Sequence, residues 1–197
     1  MSYFSTLSQN IPAPTLEKLK QIKLVVFDVD GTISDGSIIL DQNGNEFKRF
    51  YCQDGLGITL LHKAGLEVAL LTGRTSELTS RRAAELKIKH VLQGFMNKEE
   101  PLLNLVKSLN LSTDQLAVMG DDINDIPMFH HAAVSACPAD AYHYMTTIAD
   151  IILTNKGGRG AVREFSDLIL MAQGYLTEEG LPASMQKEAF DFRTVVQ

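Results

Sequence analysis

An α/β fold, a Rossmann-like three-layer sandwich with a central parallel sheet, is what this sequence predicts, on three observations. Short apolar runs rich in β-branched residues alternate with segments of helical pattern from residue 24 almost to the end of the chain, which is the signature of repeated βαβ units. The first run, Leu24-Val25-Val26-Phe27, is apolar at every position, as suits a strand covered on both faces. Several runs end on polar residues able to do chemistry, and open α/β sheets place their ligands beyond the carboxyl ends of their strands.

Taken in order, Thr15 is placed to cap a short helix that runs through Gln21. The strand Leu24 to Asp28 then delivers one carboxylate, and strand alternation puts Asp30 on the same side as Asp28. Gly31 permits the sharp exit that keeps both acids at the rim. From Ser37 to Tyr51, Ile38-Ile39-Leu40 and Phe47 to Tyr51 flank Gln42-Asn43-Gly44-Asn45. Asn-Gly is the strongest short hairpin signal, so a β-hairpin flap is expected to overhang the acids. Such a two-stranded ribbon is only marginally stable alone and has to pack on something. The interval from Asp28 to Thr72 holds this hairpin and one helix but no inserted cap domain.

A second strand over Val68 to Leu71 leads into Thr72-Gly73-Arg74, and a helix over Ser76 to Leu86 carries Arg82. After a strand at His90 to Leu92, Lys98 stands just ahead of a helix through Leu102 to Leu109, with Pro101 accommodated in its first turn. The strand Leu116 to Met119 runs into Gly120-Asp121-Asp122-Ile123-Asn124-Asp125, and Pro127 marks a helix start close behind. Strands at Val134 to Ala136 and Ile151 to Leu153 complete the sheet. The glycine-rich stretch from Lys156 to Glu164 opens the last helix. These elements form one domain over residues 1–174; residues 175–197 are polar, lack sustained periodicity and are expected to be a mobile tail, with Phe190, Phe192 and Val195 able to dock on a neighbouring subunit.

The 197 residues are 45% hydrophobic, enough for one sizeable core. A net charge of -6 without any long Lys/Arg block argues against nucleic acid as the partner, and an anionic small molecule would need local positive charge or a metal. Cys52 and Cys137 have no nearby Cys or His at ligand spacing and read as buried small hydrophobes. Residues 1–11 lack the basic start and apolar run of a signal peptide, and nothing approaches the ~20 apolar residues needed to cross a bilayer; a cytoplasmic protein without membrane partners is the expectation.

Single motifs leave alternatives open. D-x-D-G also occurs in calcium loops and ordinary turns. Asp122 and Asp125 also fit as acids favoured by a helix N-terminal dipole. A lysine before a helix is usually solvated, Arg82 also fits an exposed helix face, and the hairpin also fits as a surface ribbon on a monomer.

Together, however, D-x-D-G-T, T-G-R, Lys98 and G-D-D-x-x-D, in that order over about residues 22–174, resemble the haloacid dehalogenase superfamily, and the missing insertions resemble its capless branch. The resemblance implies a phosphatase. Asp28 would attack phosphorus and form an aspartyl-phosphate, while Asp30 would protonate the departing oxygen and later deprotonate water. Thr72 and Gly73 would donate to the phosphoryl oxygens near a helix N-terminus, and Lys98 would add a point charge. The implied cofactor is Mg²⁺, held by the carboxylates of Asp28 and Asp121 and the backbone carbonyl of Asp30. Asp122 would act through a metal-bound water and Asp125 would orient Lys98 or a second water.

Arg74 and Arg82 are the candidates for binding an acidic substrate. Lys156-Gly157-Gly158-Arg159-Gly160-Ala161-Val162-Arg163-Glu164 narrows the resemblance to enzymes acting on phosphorylated 3-deoxy sugar acids. Thr32-Ile33-Ser34 departs from that pattern at its first and third positions, which leaves a nine-carbon sialic-acid-type 9-phosphate as the alternative substrate. A non-catalytic sugar-binding or oligomerising module is the alternative of another class. The resemblance also implies a homotetramer whose hairpins cover adjacent sites.

Overall fold

The computed structural model describes residues 2–183. Six parallel strands form one sheet in the order β5-β4-β1-β6-β7-β8, with β1 Leu24–Phe27, β4 Glu67–Thr72, β5 His90–Gln93, β6 Leu116–Met119, β7 Val134–Cys137 and β8 Ile151–Ile152. A separate antiparallel ribbon pairs β2 Ile39–Leu40 with β3 Glu46–Phe47. The helices are α1 Tyr3–Ser8, α2 Ala13–Leu19, α3 Cys52–Lys63, α4 Glu77–Glu85, α5 Glu99–Ser108, α6 Ile126–His131, α7 Met145–Ile148 and α8 Ala161–Ala172. No inserted cap domain interrupts the described residues.

Strand β1 is the axis of the molecule. All four of its residues are fully buried, because side chains on both faces of the sheet meet helices. Val25 and Phe27 pack with Leu19, Ile58, Leu61, Phe165 and Ile169 from α2, α3 and α8. Leu24 and Val26 pack with Leu102, Val106, Met128 and Met145 from α5, α6 and α7. Each such buried side chain contributes roughly 1.5–3 kcal/mol, which fixes the register Phe27↔Leu70 and Phe27↔Met119. The chain runs outward from β1 through β4 to β5, then crosses back to β6. The strand order therefore reverses beside β1, where open sheets form a binding crevice.

The expected strands and the α4 and α5 helices are present with ends shifted by a few residues. Helix α2 differs more: it begins at Ala13, behind Pro12, with Pro14 in its first turn. Prolines pre-set the dihedrals of a first turn, and Thr15, expected as the cap, is instead buried inside the helix. Helix α5 starts at Glu99, ahead of the expected Leu102. The ribbon forms, but not through a two-residue Asn43-Gly44 turn. Leu40 pairs with Glu46, and the loop between them is organised by Asp41, whose Oδ1 accepts the amides of Asn43 and Asn45 at 2.8 Å each.

One further expectation is revised. Cys137 is buried, but Cys52 is exposed in the first turn of α3. In the first part of the expected tail, Leu176 pairs with Pro182, and Phe4 donates its amide to the Glu178 carbonyl at 2.9 Å. The remainder of the expected tail, with Phe190, Phe192 and Val195, lies outside the described residues.

Candidate active site

Asp28 follows β1 directly and continues the alternation that turns Leu24 and Val26 toward α5 and α6. Its amide donates to the Met119 carbonyl at 2.9 Å, so the ends of β1 and β6 are tied together. The chain then makes one wide turn over Val29–Ile33, closed by a hydrogen bond from the Ser34 amide to the Val29 carbonyl at 3.0 Å. Gly31 takes φ +94° in that turn, and a Cβ there would stand 2.1 Å from Asp121 Oδ2. The glycine therefore serves twice: it makes the left-handed turn, and it leaves room for a carboxylate arriving from β6.

Lys98, one residue ahead of α5, is completely buried, with Nζ 2.5 Å from Asp28 Oδ1 and 2.5 Å from Asp125 Oδ1. Asp125 in turn accepts the amides of Asp121 at 2.9 Å and Asp122 at 3.3 Å on Oδ2. One buried carboxylate thus fixes both the ammonium and the loop that carries Asp121. Burial opposes the charge on Lys98, but the facing Asp28 and Asp125 carboxylates outweigh it and hold the ammonium above the usual lysine range. Burial, then the Asp125 charge, push Asp28 up to about 7 against the pull of Lys98. Burial and the charges of Asp28, Asp125 and Asp122 push Asp121 up to about 8.

Carboxylate oxygens of Asp28, Asp121 and Asp125 lie within 4.8 Å of one another. A single ammonium stands against three carboxylates, so a hard cation fits the charge left over as well as the all-oxygen donor set. Asp125 is already engaged on both oxygens, which leaves Asp28 and Asp121 as the side chains to hold such an ion. Asp122 is exposed, and its carboxylate accepts the Ile123 amide at 2.7 Å as the cap of the following turn. That is the helix-start role open to it in the sequence; Asp125 has such a role too, its Oδ2 accepting the Asp122 amide in a reciprocal cap, while its Oδ1 is buried against Lys98.

Thr72, at the end of β4, is buried beside this cluster's strand ends and its hydroxyl accepts the Arg74 amide at 3.3 Å. Gly73 passes close under Met96: a Cβ there would be 2.8 Å from the Met96 sulfur. Arg74 is turned to the hairpin, with Nη2 2.8 Å from Glu46 Oε1. Arg82 lies over the Phe50 ring at 5.6 Å and pairs with Glu85 at 2.9 Å. Its partners among the described residues tie α4 to the base of the hairpin and include no member of the acid cluster.

Two features escaped the sequence. Lys48, just past β3, buries its side chain and pairs its ammonium with Asp30 Oδ1, with Glu46 Oε1 at 3.8 Å on its other side. The signal was a basic residue on a ribbon that overhangs two acids. The glycine-rich loop is the other. Its amides are committed: Gly157 to Asp140 at 3.0 Å, Gly158 to the Thr32 carbonyl at 2.9 Å and Gly160 to Asp54 at 3.2 Å. A Cβ on Gly157 would fall 1.7 Å from the Gly31 carbonyl oxygen. The loop braces the turn that follows Asp28 from behind rather than cradling an anion.

Comparison with known proteins gives a consistent picture. Residues 89–165 match the model of the haloacid dehalogenase-like hydrolases. The chain is 43% identical to the 3-deoxy-D-manno-octulosonate 8-phosphate phosphatase of Haemophilus influenzae over 158 residues, 80% of this chain and 88% of that one. It is 40% identical to the Escherichia coli K12 phosphatase of the same name over 168 residues, covering 85% and 89%. Among solved structures, the Moraxella catarrhalis 3-deoxy-D-manno-octulosonate 8-phosphate phosphatase, in complex with magnesium ion, phosphate ion and KDO, superposes with a TM-score of 0.80 at 41% identity, covering 82% of this chain and 92% of that one. The cobalt-bound Haemophilus influenzae enzyme gives 0.79 at 41% identity, covering 87% and 96%.

Proposed function

The chain belongs to the haloacid dehalogenase-like hydrolases, and we propose that it is a Mg²⁺-dependent phosphatase converting 3-deoxy-D-manno-octulosonate 8-phosphate to the free sugar acid and phosphate, a step of lipopolysaccharide synthesis. The observation that carries this is the convergence of Asp28, Lys98, Asp125 and Asp121 at the carboxyl ends of β1 and β6, read with the 40–43% identity to phosphatases of that substrate.

In this reading Asp28 is the nucleophile, held by Lys98 so that one carboxylate oxygen faces phosphorus; the phosphoryl group passes to that oxygen and is then released to water. Asp30, on the turn beyond, gives a proton to the leaving sugar oxygen and takes one from the attacking water. Thr72 and Gly73 close on the phosphoryl oxygens from β4, and the buried charge of Lys98 opposes the negative charge that builds there. Bound Mg²⁺, held by Asp28, the Asp30 carbonyl and Asp121, supplies the positive charge without which a phosphate would not approach several carboxylates. Arg74 and Arg82 are the cations for the sugar carboxylate, each needing to leave its present acidic partner.

No helix among the described residues is long and apolar enough to cross a membrane, and a cytoplasmic enzyme is the reading we adopt. The hairpin exposes Ile38 at 61%, Leu40 at 62% and Phe47 at 52%, apolar area that supports a homotetramer with each hairpin over a neighbour's site. The test of function is kcat/KM with Mg²⁺ for a panel containing the octulosonate 8-phosphate, a nine-carbon sialic-acid-type 9-phosphate and neutral sugar phosphates. Preference for the first supports the proposal. Preference for the second reassigns the sugar, and flat, weak activity moves the chain to a binding role.

A further inference from the structure

The hairpin sends one polar side chain into the site. Lys48 follows the last ribbon residue, Phe47, whose own side chain is exposed, so the Lys48 side chain turns the opposite way and is only 2% exposed. Its ammonium reaches Asp30 Oδ1, 18 residues earlier in the chain. The other acid near it, Glu46, accepts from Arg74 Nη2 at 2.8 Å and from the Ser76 hydroxyl at 3.1 Å. A continuous chain of charges therefore runs from Asp30 through Lys48 and Glu46 to the T-G-R loop after β4.

A lysine ammonium that loses water needs acidic partners, and among the described residues Lys48 forms ion pairs with Asp30 and Glu46. Asp30 itself sits where the backbone gives it little support: it lies within the wide turn at φ -84°, ψ 108°, its side chain about a quarter exposed. Its carboxylate has Lys48 as the donor recorded for it among the described residues.

We infer that Lys48 is a positioning residue for the leaving-group proton: by holding Asp30 Oδ1 it fixes the carboxyl so that Oδ2 presents the proton to the departing oxygen. The inference rests on the phosphatase reading. As the Asp28 oxygen bonds to phosphorus and the bond from phosphorus to the sugar oxygen breaks, that oxygen takes the Asp30 proton and leaves as an alcohol. In the second half, water gives a proton back to Asp30 as its oxygen displaces Asp28. Lys48 gains and loses nothing in either half; it sets where the acid points. Since the hairpin carries it, hairpin position and proton delivery are linked.

The experiment compares two leaving groups. A sugar alkoxide needs the proton, whereas p-nitrophenolate departs without one. Parent, Asp30→Asn, Lys48→Met and Lys48→Arg are assayed with Mg²⁺ on the octulosonate 8-phosphate and on p-nitrophenyl phosphate, with the thermal midpoint of each variant recorded. Lys48→Met is expected to lower kcat/KM on the sugar phosphate on the order of 10–100-fold, a large part of what a general acid supplies. On p-nitrophenyl phosphate it is expected to change kcat/KM, which reads the first half alone, by less than about threefold, while kcat falls if release to water limits turnover, and Lys48→Arg is expected to recover part of the loss. In the Asp30→Asn background Lys48→Met adds little, since both act through one carboxyl.

Equal losses of kcat/KM on the two substrates, or full additivity with Asp30→Asn, would each overturn the inference. A parent inactive on both substrates would instead remove the phosphatase reading. Selective loss in Asp30→Asn with none in Lys48→Met would leave that reading standing and remove only the role of Lys48.

Discussion

Replacing Asp121 by Asn should stabilise the metal-free protein at alkaline pH while abolishing its response to Mg²⁺. Burial and the neighbouring Asp28, Asp125 and Asp122 charges raise the Asp121 carboxyl to about 8, against ~3.9 in an unfolded chain. A carboxyl with a raised folded pKa holds its proton more tightly when folded. Its contribution is complete below about pH 4 and is lost as pH climbs through the interval to about 8. The interval is on the order of 4 pH units at ~1.36 kcal/mol each, an upper bound of about 5 kcal/mol.

Water at this half-buried carboxyl, and charge shared with Asp28 and Asp125, bring that down to about 2 kcal/mol. An asparagine carries no charge at any of these pH values. In EDTA at pH 8, Asp121→Asn is therefore expected to melt about 4–8 °C above the parent, for a domain of this size. At pH 5 most of the difference disappears. Addition of Mg²⁺ at pH 8 should raise the parent's midpoint by mass action and leave the variant nearly unchanged. A variant less stable than the parent in EDTA at pH 8, or one with an equal Mg²⁺ shift, would refute the account of this cluster.

Three other outcomes follow from the geometry. Gly157→Ala would press a methyl against the Gly31 carbonyl, 1.7 Å from the ideal Cβ position; we expect loss of most phosphatase activity with a lowered midpoint, and parent-like activity would show that the loop does not brace the turn after Asp28. Asp54→Ala removes the acceptor for the Gly160 and Arg163 amides at 3.2 and 2.9 Å and should cost about 1–3 kcal/mol in denaturant melts, with no loss counting against Asp54 as the anchor of that loop. The pair Leu40→Glu and Phe47→Glu, placed on exposed apolar hairpin positions, should shift light-scattering mass to a smaller species and lower kcat/KM together. An unchanged mass would count against the tetramer, and a smaller species with full activity would count against shared sites.

The sheet and the placement of the acids were legible because they follow from rules local to each strand. Leu24 to Phe27 is apolar throughout since both faces of β1 are covered, and the acids then fall at strand ends by position alone. Lys98 was legible only by its order among the motifs, because a lone lysine before a helix carries no signal for total burial between two carboxylates.

Lys48 was not legible. β2 and β3 have two residues each, too few for alternation to reveal which side faces inward, and its partner Asp30 is distant in sequence. The role of Lys156 to Gly160 was hidden for a different reason. Glycines mark close approach without saying whether the neighbour is a ligand or another loop, and here Gly157 and Gly158 meet Gly31 and Ser34. The start of α2 departs from the Thr15 cap because Pro12 and Pro14 suit a first turn and carry the helix start ahead of that hydroxyl.

The claim on which the rest depends is that Asp28 takes the phosphoryl group. The direct measurement is rapid acid quench of the full chain turning over octulosonate 8-phosphate with Mg²⁺, followed by peptide mass spectrometry. The account predicts a phosphorylated peptide containing Asp28 early in turnover, missing in Asp28→Asn. A phosphoryl group on another residue, or rapid product formation by the Asp28→Asn variant, would contradict it.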